Sequence, residues 1–338
     1  MKIRTIRQFV IMAAIAAGLS ACTGSGATAA AGTETAPSDT TAVGRHGHLK
    51  VSGTRIVDEK GDSVQLRGVS FGWHNMWPRF YNRGTVTELA RDWGADVVRC
   101  SIGLDIDENT FDKKPEHAYA LVDSIVQGAV DNGIYAIIDF HSHENNLPLA
   151  KQFFKTVTGR YGHLPNVMYE IWNEPLEVEC KETKDYAEEL LPIIRENAPD
   201  ALVIVPTPRW DQDVHLAADD PITTDSNVAY SIHYYAAKHT DDLRARAEYA
   251  IGKGLPLFMS ECASMMHTGD GVIDPASWEA WMDLADRHGI SWVCWSVSDK
   301  DETCSMLRPS AASDGRLWTD ADLKPWAVLV KYYLNASR

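Results

Sequence analysis

The chain has 338 residues, long for one ordinary domain but within the span of a barrel enzyme, and 45% of them are apolar, enough to fill a substantial core. A formal net charge of −15 excludes a surface that draws nucleic acid or anionic lipid headgroups, though a neutral polymer is compatible with it. The 11 tryptophans call for a large core or for a flat partner such as a sugar ring.

In chain order, residues 1–21 read as an export signal. Lys2, Arg4 and Arg7 precede an apolar stretch, Phe9 to Leu19, that is too short to span a bilayer. Leu19-Ser20-Ala21-Cys22 resembles the bacterial lipobox, so cleavage before Cys22 would leave its thiol to carry diacylglycerol. The expectation is an exported lipoprotein at the cell surface or outer membrane, touching the membrane through that anchor alone. A plain secretory peptide with a chance cysteine is the alternative. Thr, Ala, Gly and Ser dominate the next twenty or so residues, so 22–44 read as the lipidated cysteine and a flexible tether, with one folded domain over 45–338. Beyond Cys22 stand Cys100, Cys180, Cys262, Cys294 and Cys304. The odd number leaves at least one without an intrachain partner, and spacing makes Cys294–Cys304 a conceivable disulfide.

His48 to Leu66 reads as a β-hairpin, with strands at 49–51 and 55–57 and turns at Ser52-Gly53 and Lys60-Gly61-Asp62. Eight β-rich runs come after it: 64–71, 96–102, 134–140, 167–172, 202–206, 228–234, 256–260 and 290–297. Many are near-continuously apolar, as parallel strands covered on both faces should be. Helical stretches separate most of them, at 85–93, 116–132, 146–160, 183–197, 240–252 and 275–288. The segment after the fifth strand is weaker, and a last helix at 322–334 closes the chain. The pattern predicts an α/β fold, a closed (β/α)8 TIM barrel with an N-terminal β-hairpin. A doubly wound open sheet is the alternative, but no glycine-rich phosphate loop comes after the first strand. No internal repeat, second folded domain or cofactor motif is legible, and a monomer is expected.

A barrel collects its chemistry at the carboxyl ends of its strands, and here those ends are polar. The second strand ends near Arg99, the third in Asp139-Phe140-His141-Ser142-His143-Glu144, and the fourth in Trp172-Asn173-Glu174-Pro175. The sixth ends in His233-Tyr234-Tyr235, the seventh in Ser260-Glu261, and the eighth in Trp295-Ser296-Val297-Ser298-Asp299-Lys300. Glu174 and Glu261 sit on strands that face each other across the mouth, so both carboxylates can flank one bond. Cleavage of a glycosidic bond needs that pair, one as acid for the leaving oxygen and one on the opposite side of the sugar.

With these residues in view, the chain resembles glycoside hydrolase family 5, specifically its bacterial endoglucanases (cellulases), over nearly all of 46–338. Leu66-Arg67-Gly68-Val69-Ser70, Val97-Val98-Arg99, Ile137-Ile138-Asp139-Phe140-His141, Tyr169-Glu170-Ile171-Trp172-Asn173-Glu174-Pro175, His233-Tyr234-Tyr235, Phe258-Met259-Ser260-Glu261 and Trp295 to Lys300 carry the likeness. The resemblance implies a retaining endo-β-1,4-glucanase with a β-glucan such as cellulose as partner. Glu174 would be the acid/base and Glu261 the nucleophile. Arg99 would hold Glu261 ionised, Asn173 would bond the sugar 2-hydroxyl, His233 would bond near the acid/base and Tyr235 would orient Glu261. His141 would bind sugar hydroxyls, Trp295 would form a stacking floor, and Lys300 would reach a hydroxyl further out. Trp73 and Trp77 would be outer sugar platforms. His143 is kept as a candidate sugar contact, although it and Glu144 also read as plain loop residues. The chain departs from the family pattern at Phe140 and Cys262, where Trp, or Trp or Phe, is usual, and in a short loop after the third strand. Trp278, Trp281 and Trp326, on helices, read as core.

Rival readings are a metal-dependent hydrolase built on His141, His143 and Glu144, a surface lipoprotein that binds glucan without cutting it, and a related family-5 activity on mannan, xyloglucan or mixed-linkage glucan. No metal site is assigned.

Overall fold

The computed structural model describes residues 40–313 and 318–336. The readings that fall on 1–39, including the signal 1–21 and the Cys22 anchor, lie outside the described residues.

A short helix, α1 (Ala42–His46), opens the described chain; the Thr41 side chain accepts from the Gly44 N–H at 3.0 Å. The segment expected to be tether up to residue 44 is therefore structured from Thr41, and the folded body starts a few residues earlier than residue 45. Strands β1 (Lys50–Ser52) and β2 (Arg55–Val57) then pair antiparallel with Val51 opposite Ile56, the expected hairpin.

Eight parallel strands close into a barrel: β3 (Arg67–Phe71), β4 (Val97–Gly103), β5 (Tyr135–His141), β6 (Val167–Glu170), β7 (Val203–Val205), β8 (Val228–Tyr235), β9 (Leu257–Ala263) and β10 (Trp292–Val297), with β10 pairing back onto β3. Around them run α2 (Arg83–Arg91), α3 (Pro115–Asn132), α4 (Leu147–Tyr161), α5 (Cys180–Asn197), α6 (Pro208–Asp211), α7 (Val214–Asp219), α8 (Asp241–Gly252), α9 (Pro275–His288) and α10 (Pro325–Asn335). Local chemistry sets these limits. Proline stands at the first position of α3, α9 and α10 and the second of α4, where its missing N–H costs nothing. Asn82 caps Thr85 N and Asp274 caps Ser277 N, at 2.9 and 3.0 Å. Gly133 and Gly289 end α3 and α9 in the left-handed conformation. The weak segment after the fifth strand is a left-handed turn, α6, and the one short helix α7.

Alternation along the strands divides the core in two. Val97, Ile137, Met168, Ile204, Ala229, Phe258 and Val293 pack with one another and with Leu49, Ile56 and Val64, so the hairpin plugs the lower barrel. Their sequence neighbours, such as Val98, Ile138, Tyr169 and Val203, pack in the larger cluster with helix residues. Trp278, Trp281 and Trp326 are fully buried there, as expected. All five described cysteines are free thiols, so the conceivable Cys294–Cys304 bridge is not formed; Cys294 instead faces Cys262 across the β9–β10 ladder.

The ladder is irregular along β9. Ser231 pairs with Phe258, but His233 pairs with Glu261, so β9 holds one extra residue. The same surplus appears against β10, where Trp292 pairs with Met259 and Cys294 with Cys262. This is a β-bulge.

Candidate active site

Two residues further up the strands from the apolar layer, the inward positions turn polar: Arg99, Asp139, Glu170, Ser231 and Ser260, all fully buried. A buried charge must be paired, and the Arg99 guanidinium serves the whole floor. Its Nε donates to Glu170 Oε2 at 2.6 Å, Nη2 to Asn173 Oδ1 at 2.6 Å and Nη1 to Glu261 Oε2 at 3.1 Å, while Nη2 lies 3.0 Å from Asp139 Oδ2. Burial opposes the Arg99 charge, but these carboxylates outweigh it and raise its pKa. Arg99 stands in the middle of β4, with four strand residues beyond it, not at the strand end.

Above this floor the two glutamates meet. A carboxylate oxygen of Glu174 and one of Glu261 lie within 4.8 Å of each other, together with a ring nitrogen of His233. The bulge in β9 allows this: Ser260 and Glu261 are consecutive, yet Ser260 Oγ reaches Ser231 Oγ at 2.7 Å and Glu261 reaches Arg99. Glu261 is held at both oxygens, since the Tyr235 hydroxyl donates to Oε1 at 2.7 Å. Glu174, in the loop after β6, lies between two imidazoles. His233 Nδ1 is 3.0 Å from Oε1, and His143 Nε2 is 3.6 Å from Oε2. Burial pushes the Glu174 carboxyl up, but His143 and His233 outweigh it and hold it below the usual carboxylate range. His143 is itself fixed by Asp105, which accepts from its backbone N–H at 2.6 Å and lies 3.1 Å from Nδ1. Burial pulls the His143 imidazole down, yet Asp105 and Glu174 lift it to about 10. His143 therefore sits against Glu174 rather than standing as a plain loop residue.

The remaining expected residues line the cleft beside Glu261. His141 Nδ1 is 2.6 Å from Asp139 Oδ2, and its ring lies parallel to Trp295 at 5.4 Å. Burial pulls the His141 imidazole down to about 3, so it is neutral. Trp73 meets His141 edge-on at 4.4 Å and stacks on His143 at 5.7 Å. Trp73, Trp77, His141, Asn173, Trp295 and Lys300 share a hollow of about 220 Å³ with both glutamates; Lys300 Nζ is paired with Glu302 at 2.5 Å. Glu144 is not among its lining residues, and His141 and His143 turn to different carboxylates, so the trio expected of a metal-dependent hydrolase is not assembled. The described groups that could geometrically hold a cation are Glu170 with Asp211 and His233, and Glu174 with His233 and Glu261.

On the other side of Glu174 opens a cavity of about 480 Å³ that the sequence did not disclose, lined by Trp210, Gln212, Lys238, His239 and His267. His239 Nδ1 accepts the Tyr235 N–H at 3.0 Å, and burial pulls its ring down to about 4. Trp210 comes just after the fifth strand, and that position at a strand end was the signal available. A larger hollow, about 740 Å³ around Ala42, Arg45, Arg67 and Asn132, contains none of these site residues.

Among known proteins, residues 57–301 match the family described as cellulase, glycosyl hydrolase family 5. The chain is similar to endoglucanase A of Evansella cellulosilytica, with 38% identity over 289 residues, 82% of this chain and 57% of that protein. It therefore spans little more than half the length of that curated relative. A solved structure from Cytophaga hutchinsonii superposes with a TM-score of 0.85 at 36% identity, covering 88% of this chain and 97% of the other. The catalytic domain of a Thermobifida fusca endoglucanase, solved as a variant in complex with cellotetraose, superposes with a TM-score of 0.82 at 31% identity, covering 87% and 99%.

Proposed function

The chain belongs to glycosyl hydrolase family 5, the cellulase family, and from that premise we propose that it is a retaining endo-β-1,4-glucanase. The observation that carries this reading is the approach of Glu174 and Glu261 to within 4.8 Å at the barrel mouth. Double displacement uses carboxyl groups about 5–5.5 Å apart, whereas inversion needs roughly 6.5–9.5 Å to admit a water. Glu261 attacks the anomeric carbon while Glu174 protonates the departing oxygen, leaving a glycosyl-enzyme. Glu174 then takes a proton from the water that attacks the same carbon and frees Glu261. Arg99 and Tyr235 bond different oxygens of Glu261 and fix its attacking direction. Asn173 has its amide oxygen on Arg99, which leaves its NH2 for the sugar 2-hydroxyl.

The cleft supports a sugar polymer on both sides of the cut: Trp73, Trp77 and Trp295 stand on the Glu261 side and Trp210 on the Glu174 side. The cellotetraose bound by the T. fusca variant favours a β-glucan chain here. A reducing-sugar screen over carboxymethyl cellulose, barley glucan, xyloglucan and mannan tests this. Carboxymethyl cellulose and barley glucan are expected to give new reducing ends and a rapid fall in viscosity. Faster release from mannan or xyloglucan would reassign the substrate, and binding without release would make the protein a glucan receptor.

We further propose that the protein acts outside the cytoplasm as a lipoprotein, a reading supported by Leu19-Ser20-Ala21-Cys22 behind a basic and apolar leader. Expressed in bacteria with labelled palmitate, the wild type is expected to take up label and Cys22→Ser to lose it. Equal labelling of both would remove the anchor.

A further inference from the structure

Behind Glu174, His233 is 1% exposed and touches four groups. Nδ1 faces Glu174 Oε1 at 3.0 Å, and Nε2 lies 3.0 Å from Ser260 Oγ. Nε2 is also 3.6 Å from Glu170 Oε1 and 3.6 Å from Asp211 Oδ2. Neither of those two carboxylate oxygens has a hydrogen-bond partner. The two acids differ in their other oxygen. Glu170 Oε2 is neutralised by Arg99, whereas Asp211 Oδ1 accepts the Thr207 N–H, at 2.6 Å, and Ser231 also bonds this carboxyl. Among the described residues, the basic group within ion-pair distance of Asp211 is the His233 imidazole, at 3.6 Å.

The backbone takes an uncommon course to bring Asp211 there. Arg209, Trp210 and Asp211 are consecutive non-glycine residues with φ of 56°, 53° and 55°, a region such side chains rarely adopt. Trp210 thereby lines the cavity beside Glu174 while Asp211 goes into the barrel wall. Strain of this kind gathers at functional sites.

We propose that Asp211 is a positioning residue that acts on Glu174 through His233, the three forming a buried chain that holds the acid proton ready for transfer. The proposal rests on Glu174 being the acid/base. Burial pulls the His233 imidazole down, but Asp211 first, then Glu170 and Glu174, lift it well above its ordinary value. Burial in turn pushes the Asp211 carboxyl up against the pull of His233. The other charges facing this chain are Glu261 and Asp139, both bound to Arg99, and His143 with its Asp105. His141, His239 and Tyr235 border Glu174.

Asp211→Asn removes a negative charge and keeps an oxygen for Thr207. Loss of nearby negative charge disfavours every protonated form in the chain. The basic limb of the kcat/KM profile on polymer, which reports loss of the Glu174–His233 proton, is expected to move to lower pH by on the order of one unit. At pH above both limbs the variant then runs about tenfold slower. Asp211→Ser, which also removes the charge, is expected to move the limb in the same direction. A ring-nitrogen NMR titration of the wild type reads His233 directly, and an imidazolium persisting through neutral pH is expected. A limb that stays put in either folded variant, or a His233 ring already neutral at pH 5, overturns the proposal. Failure of the Glu174 assignment is distinguishable, because Glu174→Gln would then keep its activity on polymer whatever Asp211→Asn does.

Discussion

Glu261→Ala is expected to abolish turnover of glucan, with kcat lower by about 10⁴-fold or more, the scale on which nucleophile removal acts in other hydrolases. Arg99 Nη1 and the Tyr235 hydroxyl, which now hold the carboxylate at 3.1 and 2.7 Å, remain and border the vacated volume. A small anion can enter it. Azide is therefore expected to restore part of the turnover on an activated aryl β-glucoside. It attacks the anomeric carbon from the face Glu261 used, the aryl oxygen departs from the opposite face, and the product is the α-glycosyl azide. Product configuration is the decisive measurement. A β-azide would mean that the excavated space lies on the acid/base side, and near-wild-type turnover of Glu261→Ala would mean that the nucleophile is elsewhere.

Glu174→Gln is the second large effect, and its size should depend on the leaving group. A sugar hydroxylate leaves poorly, so polymer cleavage needs the proton; a nitrophenolate leaves unaided. General acid catalysis contributes about 10²–10⁴-fold. That whole factor is expected to vanish from kcat/KM on glucan, against a loss of less than about tenfold in kcat/KM on the aryl glycoside. On the aryl substrate kcat falls further, because the second step still wants a base, and the glycosyl-enzyme accumulates as a burst. Equal losses of kcat/KM on both substrates would reduce Glu174 to a structural carboxylate. Glutamine would also meet His143 and His233, the pair that holds the native carboxyl low in the sugar-free protein. Stability should be checked beside rate for that reason.

The barrel was legible because its strands advertise themselves. Runs such as Tyr135 to Phe140 are covered on both faces, and proline and asparagine punctuate the helices between them. The meeting of Glu174, Glu261 and Arg99 at the barrel mouth was legible because strand-end polarity and motif order point the same way. What escaped depends on contacts between distant parts of the chain. His143 looked like a loop residue since its value lies in Asp105, 38 positions earlier, and in Glu174. Trp210 and Asp211 escaped because three successive left-handed residues without glycine carry no compositional mark. Trp73 lines the cleft at 8% exposure, wedged against two histidine rings, a packing that no local motif announces. The start of the fold was set a few residues late, since Thr41 to Gly44 look like tether by composition and act as a helix start through one cap.

The surplus residue in β9 has a further meaning. Side chains on a strand change face at every step, so whether Glu261 looks at the sugar or at the surrounding helices is decided by a count of residues, not by their kinds. Three steps along a regular strand would carry Glu261 from the inward face of Phe258 to the outer face; the bulge spends the surplus step and returns its carboxylate to the mouth, opposite His233.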